Sequence, residues 1–262
     1  MNIMVVDQDR YNIKGIERGF KILDLVAERG SIGIPDVCEA LDVNTNMAFR
    51  LLTSIQKSGY LVKEERTGMY TLSLKILSLS SVALQSLEIR KFAMPYMEIF
   101  WSSFQKANVN LGMKNGDDIL IIERIEGLSL PRTYFTPGKQ IPFHCTGLGK
   151  VLCCEMSDEE IERLIKVKGL KAYTAHTIVD HDKMIEELRK VREEGVGRDR
   201  NEFIFGDNCS AVPIRNKAGE IVASISASAL SANISEQEIE DLIPRLKETA
   251  GRISGMLGYI TV

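Results

Sequence analysis

A change of hydrophobic period near residue 107 decides which folds are open to this chain. Up to Lys106 the apolar residues recur three and four apart, interrupted by one short hairpin; from Asn108 onward, alternating runs and helical runs interleave. Spacings of three and four put side chains on one side of a helix, whereas alternation puts them on one face of a strand. The chain therefore divides into an α-rich front, a helical connector and an α+β remainder. We expect these at residues 14–75, 76–90 and 91–262, behind a short arm of mixed charge at 1–13.

With 262 residues the chain has room for two domains of ordinary size, and 44% hydrophobic content suffices for packed cores, which excludes global disorder. No uncharged apolar run reaches the roughly 18 residues a bilayer span needs. The opening MNIMVVDQDR has no basic stretch leading into a long apolar run, so it does not read as a secretory signal. Five cysteines, two of them adjacent at Cys153 and Cys154, make no disulfide framework, and a reducing cytoplasmic location is expected. A formal net charge of −3 means that any nucleic-acid contact must come from a local patch.

In the front segment a helix is expected from Gly15, with Ile16, Phe20, Leu23 and either Ile22 or Val26 on one face, ending at Arg29-Gly30. A second helix, Ile34 to Leu41, carries Pro35 in its first turn, where a missing N–H costs nothing. A third, Asn44 to Ser58, should turn Met47, Leu51, Leu52 and Ile55 inward and Asn44, Thr45, Asn46, Phe49, Arg50 and Ser54 outward. Strand-like runs at 60–62 and 69–72 flank a charged tip. Three short helices, a tight turn before the third and a hairpin make a winged helix-turn-helix. Asn44, Thr45, Asn46 and Arg50 are donors suited to phosphates and base edges, and Lys63 and Arg66 at the wing suit the backbone or minor groove. The same segment holds nine basic and eight acidic residues, so a protein-binding three-helix module also stays open on charge alone.

From Leu74 to Lys106 two helices are expected, parted just before Pro95. Beyond them, strands are expected at 108–113, 118–125, 133–135, 209–214 and 221–227, and helices at 147–155, 158–166 and 180–194. A closing helix, 235–257, starts with Ser235 and Glu238 in capping-box spacing. Three features bear on function. His144-Cys145-Thr146-Gly147-Leu148-Gly149-Lys150 puts small residues and a lysine at a helix mouth, which suits an anion or an ordinary glycine-bearing helix entry equally. Arg198 to Phe203 is a polar cluster near Cys209, read as a loop. Ser226 and Ser228 alternate on a strand and so share a side; if buried, they need partners or line a polar pocket. Cys145 or Cys209 with His144 or His176 and Asp199 supplies residue types for thiol catalysis, and His144, Cys145 and Cys209 for zinc. Neither set has supporting spacing, so no catalytic residue and no metal ligand is assigned.

Read together, these residues resemble the IclR family of transcription regulators. The resemblance runs from Gly15 to Tyr259 and rests on HCTGLGKVL at 144–152, TAHTIVD at 174–180, GVGRDRNEFIFGDNCSAVPI at 195–214 and the stretch at 19–75. It implies a DNA-binding front, a linker helix and a GAF-like or profilin-like α+β domain that binds a small organic acid. It implies no cofactor, double-stranded operator DNA as partner, a homodimer or dimer of dimers, and action as repressor or activator. By motif the effector site falls on Gly147, Leu148, Asp199, Cys209, Ser226 and Ser228, with Met113 as a further apolar neighbour. Two departures stand out: Arg200-Asn201 follow Asp199 where the family continues with acidic residues, and Ala229-Leu230 follow Ser228 in place of Gly-Pro.

Overall fold

The structure, a computed structural model, describes residues 13–128 and 135–260. Residues 1–12 of the expected arm at 1–13 and the strand positions 133–134 lie outside the described residues. The chain forms two compact units, residues 1–83 and 84–262.

The first unit contains α1 (Lys14–Arg29), α2 (Ile34–Leu41) and α3 (Thr45–Lys57), then β1 (Leu61–Lys63) and β2 (Tyr70–Leu72). The strands pair antiparallel with Leu61 opposite Leu72, and Ile32 bridges to Tyr70 beside them. Their core is Ile22, Val26, Ile32, Val37, Ala48, Leu52, Leu61 and Tyr70. Two expected faces are corrected. On α1 the buried pair is Ile22 and Val26, while Ile16 and Phe20 are exposed; on α3 Ala48 is buried and Met47 exposed. Small Ala48 lets α3 approach its neighbours closely, and hydrophobicity alone favoured the larger Met47.

Next come α4 (Lys75–Ser86) and α5 (Glu88–Ser103). The expected break at Pro95 is absent: the interruption falls at Leu87, and Pro95 sits inside α5. Pro95 is on the exposed side, where water can satisfy the carbonyl that lost its N–H partner, while Ile89, Ala93, Met97 and Phe100 bury the opposite face.

The second unit is built on a six-stranded antiparallel sheet of β3 (Asn108–Asn115), β4 (Asp118–Ile125), β5 (Gln140–Ile141), β6 (Gly197–Arg200), β7 (Asp207–Arg215) and β8 (Ile221–Leu230), in spatial order β5-β4-β3-β8-β7-β6. Helices cover both faces. α5 packs on one with α9 (Glu236–Asp241) and α10 (Ile243–Met256). The other carries α6 (Gly147–Cys153), α7 (Asp158–Lys168) and α8 (His181–Glu194). The expected closing helix is two, parted at Leu242 just before Pro244. The polar cluster read as a loop is in part a strand: Arg198 to Arg200 belong to β6, paired with Cys209, Ser210 and Asn208 of β7. Among the described residues no helix is long and apolar enough to cross a membrane.

Candidate functional site

Strand register places the candidate site. Residues directly opposite in an antiparallel ladder share a face, and positions two apart along a strand repeat it. One row therefore runs Asp199, Cys209, Ser228, Asn108, and the next runs Gly197, Ala211, Ser226, Asn110, Arg124. Both lie on the sheet face covered by α6. The polar members are buried: Asp199, Asn108, Asn110, Ser226 and Ser228. Six of the residues lining the cavity here, Gly147, Leu148, Asp199, Cys209, Ser226 and Ser228, are those the family motif indicated, brought together from α6, β6, β7 and β8. Asn110, Asp207, Thr146, Phe135 and Ile141 complete the lining and were not foreseen. Met113 is not part of it: it packs against the core on the other face. The groups nearly fill the site, leaving about 10 Å³, room for about one water, so a small acid enters only when side chains part.

The glycines serve close packing. A Cβ on Gly147 would stand 2.9 Å from the Gly197 carbonyl oxygen and 3.3 Å from Cys209 Sγ; one on Gly197 would clash with the Gly147 carbonyl oxygen. Helix α6 can therefore press its first turn against β6 and β7 only with glycine at both points. Thr146 caps α6, its Oγ1 accepting from Gly149 N at 3.2 Å while donating to the Pro142 carbonyl at 2.7 Å. Leu148 lies over the sheet at Gly112, its Cδ1 3.3 Å from where a Gly112 Cβ would be.

Asp199 is the site's principal ionisable group. Burial pushes its carboxyl up to about 8, with the Glu202 and Asp207 carboxylates adding to the rise, against backbone donors from Glu202 and Phe203. Those donors reach Oδ1 at 2.7 and 3.3 Å. At neutral pH Asp199 is mainly a neutral acid, able to give a hydrogen bond as well as accept one. Burial, then Asp199 and Asp207, raise the Cys209 thiol, and burial raises that of Cys145. Protonated thiols are poor nucleophiles. His144 bonds through Nε2 to the Lys171 carbonyl at 3.0 Å, and burial lowers its pKa. Among the described residues no group of three or more His, Cys, Asp or Glu could hold a metal ion.

Lys150, the lysine of the helix mouth, is turned away from the cavity and does not line it. It is fully buried, and its Nζ bonds Glu202 at 2.6 Å, Glu187 at 2.9 Å and the Arg198 carbonyl at 2.8 Å. It anchors the turn after β6, and hence Asp199, to α6 and α8. Burial raises the Glu202 carboxyl while Lys150 opposes the rise.

On the first unit Thr45, Asn46 and Arg50 are exposed along α3, with Phe49 beside them. Asn44 is exposed too, but its Oδ1 accepts from Met47 N at 2.9 Å: it is the helix cap, and only its amide nitrogen remains directed outward. Arg66 is exposed at the wing tip, 3.9 Å from Glu64, whereas Lys63 is half-buried with its Nζ 5.9 Å from the Tyr70 ring centre.

A winged helix-turn-helix and a separate sheet unit with a buried polar site define a helix-turn-helix transcriptional regulator with a C-terminal effector domain. Residues 15–65 match the family described as IclR helix-turn-helix domain, and residues 81–255 match Bacterial transcriptional regulator IclR C-terminal. The chain belongs to the IclR family. It is 28% identical over 254 residues to the HTH-type transcriptional regulator KdgR of Escherichia coli K12, covering 97% of this chain and 96% of that one. It is 28% identical over 246 residues to the repressor AllR of the same organism, covering 94% and 90%. The IclR crystal structure from Thermotoga maritima superposes with a TM-score of 0.69 at 25% identity, over 95% of this chain and 100% of that one. The C-terminal domain of E. coli KdgR gives 0.59 at 26% identity over 66% of this chain and all of its own. These relatives are transcriptional regulators, not enzymes.

Proposed function

We propose that the protein binds operator DNA as a homo-oligomer and that a small organic acid, held on the polar sheet face, changes that binding in the cytoplasm. Arg50, Thr45, Asn46 and the amide nitrogen of Asn44 read or position the duplex from α3, while Lys63 and Arg66 contact its backbone from the wing. Gly147, Leu148, Asp199, Cys209, Ser226 and Ser228 form the effector site. The observation that carries this reading is the convergence of six motif residues and two rows of buried polar groups on one cavity opposite α6, the few convergent polar groups that a small-ligand site uses for orientation. Exposed Ile16 and Phe20 on α1, and Leu77, Leu79 and Val82 on α4, support self-association, which multiplies the affinity of a weakly charged reading head.

The test is a thermal-shift screen of small carboxylic acids with the full chain, because a ligand specific for the folded state raises its melting temperature. A stabilising acid should also change affinity for the DNA flanking the protein's own gene. Ser226→Ala should abolish the thermal shift. No stabilising acid, or an equal shift in the variant, would contradict the reading.

A further inference from the structure

The polar groups on the sheet face have a direction as well as partners. Arg124, whose side chain is only 4% exposed, stands opposite Asn110, and its Nη1 donates to Asn110 Oδ1 at 2.9 Å. A guanidinium has donors and no acceptor, so the amide atom it meets must be the oxygen. The amide nitrogen is thereby turned toward β8, 3.4 Å from Ser226 Oγ and 3.3 Å from Ser228 Oγ. Its two protons serve one hydroxyl each. A serine oxygen that accepts still has its own proton to give, and here that proton is free to point into the site. Ser226 also has the Cys209 sulfur in reach, a weak acceptor that a charged oxygen readily outcompetes.

We propose that Arg124 is the positioning residue that sets the donor polarity of the effector site: it turns Asn110, and through it Ser226 and Ser228, so that the site takes a negatively charged oxygen and rejects a donor of the same shape. This inference rests on the proposed effector site and deepens it. The register makes the relay possible, since Arg124, Asn110 and Ser226 occupy one row and Ser228 the next position on the same face. The relay begins at a buried cation whose guanidinium carbon lies 6.0 Å from the Phe135 ring centre, so its first bond is charge-assisted. Reversing the amide would set nitrogen against guanidinium, donor against donor. The serine oxygens would then face an acceptor, and their protons would turn away from the ligand.

The test titrates the full chain with pyruvate and glyoxylate, each beside its primary amide, which exchanges the charged oxygen for a donor at nearly constant shape. The wild type should prefer each acid by about tenfold or more. Arg124→Met should bring the ratio to about one, and Arg124→Lys, still a donor-only cation, should restore most of it. Asn110→Asp accepts from the guanidinium and from both hydroxyls, so it should invert the preference toward the amide. Thermal unfolding checks that each variant is folded; should Arg124→Met fail, the other two carry the test. A residue with only a structural role would weaken acid and amide alike and leave the ratio unchanged. An unchanged ratio in the folded variants overturns the inference while the effector site stands. A wild type that binds neither acid and is stabilised by no other small carboxylic acid overturns the effector reading and the inference together.

Discussion

Asp199 carries its functional information in its protonation. Its folded pKa of about 8 lies above the ordinary carboxyl value, so the native state holds a proton that the unfolded chain releases. The sign follows: between about pH 4 and pH 8 the folded state binds more protons, and Asp199 costs increasing stability as pH rises through that window. Asp199→Asn keeps a neutral group that still accepts from the Glu202 amide. It should therefore melt higher than wild type at pH 9 by more than at pH 6; parallel pH profiles would contradict the assignment. On the reading helix, Arg50→Ala should lower DNA affinity by about 1–3 kcal/mol in an anisotropy titration if the side chain reaches a base. Asn44→Ala should instead cost about 1 kcal/mol of stability through the lost cap. Ser226 and Ser228 were legible because alternation puts them on one side. Asn108 and Asn110 obey the same alternation and carried an available signal, two poor strand-formers at inward positions. Arg124 was not legible, since its role depends on register with a neighbouring strand.

At the scale of elements, α6 is the organising piece. Its Gly147 meets the β6 backbone at Gly197 and the Ala211 and Cys209 side chains of β7, its Gly149 meets the backbone of Pro142 and Phe143, and its lysine is neutralised by two carboxylates from elsewhere in the chain. Gly147→Ala should destabilise the protein by about 1–3 kcal/mol in denaturant titration, because the new methyl meets a carbonyl at 2.9 Å rather than a movable side chain. Lys150→Met should cost about 3–5 kcal/mol, as it strands the buried Glu202 beside Glu187. A loss below 1 kcal/mol would mean that water reaches the carboxylates. Long periodic segments such as α3, α8 and β8 were readable from spacing, and Gly30 and Gly195 marked helix ends by their positive φ. What escaped were elements whose pattern is overridden by packing. Strand β6 has only four residues and a charged composition, and Pro95 is tolerated because its helix face is exposed.

At the scale of the molecule, the functions of the two units were unequally legible in the sequence. The winged helix could be built from periodicity, whereas its nearly balanced charge left the partner open, and the match of residues 15–65 to the family's helix-turn-helix domain resolved the class. In the second unit the family motif indicated six residues, but only the strand pairing reveals that four of them share the sheet face covered by α6, which carries the other two. The proposed regulator works only if effector and DNA favour different states of the same chain, and such coupling must be reciprocal. The most direct test measures the dissociation constant of the stabilising acid by calorimetry, with and without saturating cognate DNA, alongside the DNA affinity with and without the acid. The account predicts the same factor from both directions, about 5- to 150-fold, and a factor of one for Ser226→Ala with its acid-free DNA affinity retained. An acid that binds the wild-type chain equally well with and without DNA would contradict it.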